Sequence, residues 1–221
     1  MGPTEPTVPK PLVEIGGKPI LWHVMRLYAS QGMTRFVLLL GHGAEQLESF
    51  AKTLPRSWDV VCVRTGIDTP TGGRLARARS RLDGEPFCVT YADGLADIDL
   101  RKLLEFHRSH TGLATMTVVR PPNPWGVASI GADGQVTSFE EKEALPLWVN
   151  GGFFVMEPQV LELLHDEASL EEGALQWLSD ASELYAFSHS GFWACMDTYK
   201  DALILNRLWQ DGAAPWRQLV A

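Results

Sequence analysis

Through its first hundred residues the chain alternates short, continuously apolar runs with amphipathic segments, and that alternation restricts the fold more than any other feature. Phe36 to Leu40, Asp59 to Arg64 and Pro86 to Tyr91 carry consecutive apolar residues, as strands covered on both faces do. Between them lie helical patterns. Lys18 to Gln31 sets Ile20, Val24 and Leu27 on one stripe, with Pro19 in the first turn and Gly32 as a stop. Ala44 to Leu54 puts Leu47, Phe50, Ala51 and Leu54 on one face, and Gly72 to Leu82 also reads as a helix. A further helix after Asp97 or Asp99 aligns Leu100, Leu103, Leu104 and His107. Strand and helix in alternation predict an α/β fold with a doubly wound, largely parallel sheet flanked by helices.

Beyond residue 112 the pattern changes. Leu113 to Val119, Val127 to Ile130 and Val136 to Phe139 are short strand candidates, and Asp133-Gly134 between the last two is a hairpin signal, so antiparallel pairing enters here. Trp148 to Met156 and Leu184 to Phe187 are extended runs. Pro158 to His165 and Leu170 to Ser179 read as helices, and Asp197 to Gln210 as a long final one. No repeat or linker divides the 221 residues, so residues 1–221 are expected to form one domain.

The net charge of −8 argues against a broad nucleic-acid or membrane surface, because contact with extended polyanions needs an excess of Lys and Arg. Any phosphate contacts should be local. No apolar run approaches the length of a membrane span, and Cys62, Cys88 and Cys195 show neither metal-ligand spacing nor even pairing. A cytoplasmic protein with reduced cysteines is the expectation.

Chemistry concentrates in two acidic motifs, Thr90-Tyr91-Ala92-Asp93-Gly94 and Gly191-Phe192-Trp193-Ala194-Cys195-Met196-Asp197-Thr198. Each sets a carboxylate where an apolar run breaks into a turn, a position from which an α/β protein can hold a divalent metal over a phosphate. Alone, Asp93 reads better as a turn residue or helix cap before Asp97, and Asp197 reads as the N-cap of the last helix, a position compatible with binding a metal. Histidines 23, 107 and 189 show no nucleophile or zinc arrangement.

Four further segments complete the pattern: Pro9-Lys10-Pro11-Leu12 through His23, Thr71-Gly72-Gly73-Arg74-Leu75, Glu141-Lys142, and Trp148-Val149-Asn150-Gly151-Gly152-Phe153-Phe154. Taken in order with the acidic motifs, they resemble the sugar-1-phosphate nucleotidyltransferases, and within them the glucose-1-phosphate cytidylyltransferases. The resemblance implies a Rossmann-like nucleotide-diphospho-sugar transferase fold with a mixed, mostly parallel sheet. It also implies a Mg²⁺-dependent reaction of CTP with glucose 1-phosphate, giving CDP-glucose and pyrophosphate for deoxysugar or polysaccharide synthesis, in a homo-oligomer. Such a reaction needs positioning and charge neutralisation rather than a covalent nucleophile.

On the matched positions, Asp93 and Asp197 would hold Mg²⁺, and Lys10 would neutralise the nucleotide phosphates. Thr71, Gly72, Gly73 and Arg74 would lie beside the nucleotide, the glycines allowing close approach to bare backbone. Lys142 would hold the sugar phosphate, with Glu141, Asn150, Gly151, Gly152 and Trp193 lining the sugar pocket. Glu143 departs from the family, where a proline usually follows the lysine. Arginines 77, 79 and 81 read as a solvated helix face.

A larger departure lies at the start. The family begins with a buried strand and a glycine-rich loop containing Gly-Thr-Arg, whereas Met1-Gly2-Pro3-Thr4-Glu5-Pro6 resembles the stretch after that arginine. The expectation is that Met1 is internal to a longer protein. The alternative is an inactive homologue that binds sugar phosphates or serves as a subunit. Because the family's first strand is central, Phe36 to Leu40 and Pro86 to Tyr91 should keep unpaired edges, leaving a poorly stable chain with slow turnover.

Overall fold

The computed structural model describes residues 8–82, 84–123, 125–141 and 147–217. A 3₁₀ turn, Lys10–Leu12, leads into a two-residue hairpin of β1 (Glu14–Ile15) and β2 (Lys18–Pro19). Gly16 and Gly17 turn it with φ of 60° and 75°, a conformation that favours glycine. Helix α1 (Ile20–Ala29) follows, starting just after Pro19, which has no N–H to lose there. Its buried face of Ile20, Val24, Leu27 and Tyr28 packs into the main core.

The alternation read from sequence is present. After β3 (Arg35–Leu40) come α2 (Ala44–Ala51) and β4 (Asp59–Arg64), and β3 pairs with β4 in parallel. Helix α3 (Thr71–Arg77) precedes β5 (Phe87–Thr90), β6 (Gly94–Ala96) and α4 (Leu100–Arg108). Asp99 caps α4 by accepting from the amides of Arg101 and Lys102 at 3.1 and 3.2 Å. The second half adds β7 (Ala114–Val119), β8 (Val127–Ile130), β9 (Val136–Glu140) and β10 (Val149–Met156). Short helix α5 (Gln176–Asp180), β11 (Leu184–Ser188), β12 (Trp193–Cys195) and α6 (Tyr199–Gln210) complete it. Two helices expected as single pieces are irregular: Leu170–Leu175 is a wide π-helical turn ahead of α5, and Pro158–Leu163 is 3₁₀. Gly173 lies within the π turn; glycine is a poor α-helix former.

One four-stranded sheet has the order β11, β7, β10, β5. Strand β11 is parallel to β7, while β10 is antiparallel to both β7 and β5, so β10 alone runs against the other three. Strands β8 and β9 form a wholly exposed hairpin turned at Asp133-Gly134, and β6 pairs with β12. Among the described residues no helix is long and apolar enough to cross a membrane.

The β3–β4 pair does not join the larger sheet. Among the described residues, the second edge of β3 and the second edge of β5 have no strand partner. Between them lies a cavity of about 1270 Å³, lined by residues 33–40 and 86–93 and floored by Leu21, Val24, Met25 and Tyr28 of α1. Met33 and Cys88 sulfurs lie 3.9 Å apart, so the two strands start side by side. Phe36, Val37, Leu38 and Leu39 are consequently only half-buried, although their continuous apolar run suits a strand enclosed on both sides. The expected unpaired edges are thus present in the structure.

Candidate active site

Two strand ends build the acidic centre. Strand β5 delivers Asp93 just beyond Thr90, and β12 delivers Asp197 just beyond Cys195. Antiparallel pairing of β6 with β12 sets Cys195 opposite Gly94, and the Met196 amide donates to the Asp93 carbonyl at 3.0 Å. The pairing brings residues more than a hundred apart in sequence to one point: ligand atoms of Asp93, Cys195 and Asp197 all lie within 4.8 Å of one another. Thr198, not Asp197, caps α6, in a reciprocal box with Asp201. Asp197 is therefore released from the capping role its position suggested.

Lys10 sits between the two carboxylates. Its Nζ is 2.6 Å from Asp93 Oδ2 and 2.8 Å from Asp197 Oδ1. Prolines 9 and 11 restrict the backbone on either side. Burial works against the lysine's charge, but hydrogen bonds to Asp197 and Asp93 outweigh it and hold its pKa above the ordinary lysine range. The same contact with Lys10 holds the Asp197 carboxyl below the usual carboxylate range. Burial, with Asp93 and Asp197 alongside, pushes the Cys195 thiol up to about 12. Cys195 therefore favours the thiol form, and the two carboxylates are the charged donors of the group. Two carboxylates whose oxygens converge on one point fit a hard divalent ion such as Mg²⁺, which would compete there with the Lys10 ammonium.

Tyr91, two residues before Asp93, organises the residues expected on the sugar side. Asn150 Nδ2 donates to the Tyr91 hydroxyl at 3.2 Å, while Asn150 Oδ1 accepts from the Gly152 amide at 2.8 Å. Gly152 has φ of 77°, and a Cβ there would meet the Tyr91 ring at 2.6 Å, so both backbone conformation and packing demand glycine. This is where the register of β10 against β7 shifts. Trp193 donates its indole N–H to the Gly151 carbonyl at 2.7 Å and ties β12 to β10. Glu141 is exposed just past β9, and Lys142 lies outside the described residues.

The Thr71-Gly72-Gly73 segment opens α3, and its glycines are buried. Added Cβ atoms would lie 2.7 Å from the Ala168 carbonyl at Gly72 and 2.1 Å from the Asp166 carbonyl at Gly73. The bare backbone is thus required by the chain's own 166–168 segment, whose Ala168 carbonyl accepts from the Gly73 amide at 2.9 Å. Arg74 donates to Thr65 Oγ1 at 2.8 Å and to the Ile67 carbonyl at 3.0 Å, and its guanidinium covers Gly41. Arginines 77 and 79 are not merely solvated as expected. Arg77 donates to the Thr65 carbonyl and pairs with Asp166 at 2.9 Å, and Arg79 donates to the carbonyls of Leu161 and Leu164.

Sequence reading missed Glu171. Its carboxylate accepts from Thr71 Oγ1 at 2.7 Å, Ser169 Oγ at 3.0 Å and the Tyr91 hydroxyl, joining the α3 side of the site to Asn150. Burial opposes its charge, but the Tyr91 and Thr71 hydrogen bonds prevail and hold its pKa low. Thr71, Arg74, Tyr91, Asp93 and Asp197 all border the cavity between β3 and β5, which therefore opens onto the site.

Solved structures share the fold. The chain superposes on HddC from Yersinia pseudotuberculosis in complex with GMP-PN with a TM-score of 0.71 at 24% identity, covering 95% of this chain and 93% of that one. It superposes on a UDP-glucose pyrophosphorylase in complex with UDP-glucose with a TM-score of 0.70 at 15% identity, covering 93% and 92%. The fold is that of the nucleotide-diphospho-sugar transferases. Residues 3–211 match the nucleotidyl transferase family, and the chain belongs to it. It is 40% identical to the glucose-1-phosphate cytidylyltransferase of Salmonella typhimurium over 95% of this chain and 91% of that one. It is 35% identical to the probable glucose-1-phosphate cytidylyltransferase of Bacillus subtilis over the same shares.

Proposed function

We propose that the site transfers the cytidylyl group of CTP to glucose 1-phosphate, releasing pyrophosphate and forming CDP-glucose. The observation that carries this reading is the convergence of Lys10, Asp93 and Asp197, reinforced by 40% identity to the Salmonella cytidylyltransferase. The incoming sugar phosphate oxygen attacks the α-phosphorus, the bond to the β-phosphate oxygen breaks, and pyrophosphate carries away the negative charge. Asp93 and Asp197 would hold Mg²⁺, which when bound neutralises charge on the triphosphate. Lys10 supplies a second positive charge at the transferred phosphate. Asn150, held by Tyr91 and Gly152, presents polar groups to sugar hydroxyls, and Trp193 fixes the floor behind it. Lys142, which lies outside the described residues, is assigned by this reading as the contact to the sugar phosphate.

Thr71 and Arg74 border the space in which the nucleotide would lie. A cytoplasmic, homo-oligomeric enzyme of nucleotide-sugar and polysaccharide synthesis belongs to the same proposal. The exposed β8–β9 arm, with Val127, Ile130, Val136 and Phe139 in solvent, is the surface an oligomer would cover. The cavity between β3 and β5 favours a second reading, a catalytically inactive sugar-phosphate-binding homologue. Incubation with Mg²⁺, glucose 1-phosphate and each nucleoside triphosphate in turn, read as pyrophosphate release, tests the proposal. Preference for CTP supports it; release with UTP or dTTP alone overturns the choice of base, and binding of glucose 1-phosphate without release from any triphosphate supports the second reading.

A further inference from the structure

The carboxylate pair is already neutralised by the chain itself. Lys10 places one ammonium within 2.8 Å of both Asp93 and Asp197, in the space that a shared cation would take. Resting on the metal reading of this pair, we infer that Lys10 is a resident counter-cation, so that the site admits a divalent ion together with a triphosphate and not ahead of it. Two features of the geometry lead there. Prolines 9 and 11 restrict the backbone, whereas the lysine stem has four rotatable carbons and its side chain is 41% exposed, so the ammonium can swing while its anchor stays put. Its hydrogen bonds run to the two carboxylates, so a free divalent ion entering alone must strip Lys10 of its anions and leave two cations side by side. A triphosphate removes that obstacle. It supplies a new anion for the ammonium at the moment the carboxylates are taken over, and the local charge stays balanced.

The test uses Mn²⁺ as a paramagnetic probe, titrated by electron spin resonance into the wild-type chain and Lys10→Met, with and without CTP. Lys10→Arg, which keeps the positive charge, and Asp197→Asn, which removes a ligand, are run beside them, with circular dichroism to check folding. After subtraction of the Mn²⁺ taken up by CTP in protein-free buffer, wild type is expected to bind Mn²⁺ weakly alone and at least tenfold more tightly with CTP. Lys10→Met should bind free Mn²⁺ at least tenfold more tightly than wild type and lose most of the gain from CTP, while Lys10→Arg should behave as wild type. Equal or weaker binding of free Mn²⁺ by Lys10→Met would overturn the exchange role of Lys10. Mn²⁺ binding that is absent from every variant, or unchanged by Asp197→Asn, would instead remove the metal reading and the inference with it.

Discussion

Filling the cavity between β3 and β5 with a strand should raise the stability of the chain. The perturbation is a Val- and Ile-rich segment as long as β3, six residues, joined through a short flexible linker to the amino terminus. Each buried aliphatic side chain contributes about 1.5–3 kcal/mol, while ordering each residue's backbone costs about 1–2 kcal/mol, so these two contributions nearly cancel. The balance comes from the receiving walls. Both free edges gain ladder hydrogen bonds of about 0.5–1.5 kcal/mol each, and the half-buried Phe36, Val37, Leu38 and Leu39 lose the rest of their exposure. A net gain of about 5 kcal/mol corresponds, for a chain of this size, to a rise of roughly 10–20 °C in Tm. Thermal melting gives the total, and amide hydrogen exchange locates it, with slowing expected in Phe36 to Leu40 and Cys88 to Thr90. A control segment with proline at alternate positions loses its donors to one of the two edges, and should stabilise much less. The reasoning fails if the proline segment stabilises equally, or if β3 and β5 amides are already protected without any addition.

Three other outcomes follow from particular contacts. Gly73→Ala would force a Cβ to 2.1 Å from the Asp166 carbonyl, and urea unfolding should show a loss of about 2–3 kcal/mol. Glu171→Gln removes the charged acceptor shared by Thr71, Ser169 and Tyr91; in steady-state kinetics of the strand-completed protein it should raise the KM for glucose 1-phosphate about tenfold, equivalent to ~1.4 kcal/mol of lost binding. His23 is buried, which holds its pKa below the ordinary value, and it pairs with the Ile15 carbonyl at 2.8 Å and the Trp216 indole at 3.4 Å. The unfolded chain therefore takes up the proton first, so this contribution to stability is intact above about pH 6.5 and is lost as pH falls through 6.5 toward the folded pKa. Urea midpoints at neutral and mildly acid pH should show that decline, and His23→Leu should flatten it while lowering stability at neutral pH.

Local signals in the sequence carried the strands, the hairpin and the acidic centre. Continuous apolar runs marked β3, β4 and β5, Asp133-Gly134 marked the β8–β9 turn, and Asp97 or Asp99 marked the start of α4, where the structure selects Asp99. Asp93 and Asp197 were legible because each interrupts an apolar run, although only the β6–β12 pairing shows that they share a point. Glu171 gave no such signal: it lies among acidic and apolar residues of an apparent helix, and its partners Thr71 and Tyr91 are 100 and 80 residues away. The glycines at 72 and 73 were read as room for a ligand, yet a backbone segment distant in sequence fills that room. Spacing encodes the period of an element, not which remote carbonyl it will meet.

Nucleotidyl transfer at Lys10, Asp93 and Asp197 is tested most directly by following label from CTP carrying ³²P at the α-position, with glucose 1-phosphate and Mg²⁺. Run on the chain and on the form carrying the added strand, each beside Asp197→Asn, the assay should show label entering CDP-glucose rapidly when the cavity is filled and very slowly when it is open. Asp197→Asn should abolish transfer in both. Equal rates from the two forms would show that the open cavity does not limit catalysis. No labelled CDP-glucose from the form carrying the added strand, or full transfer by Asp197→Asn, would contradict the account.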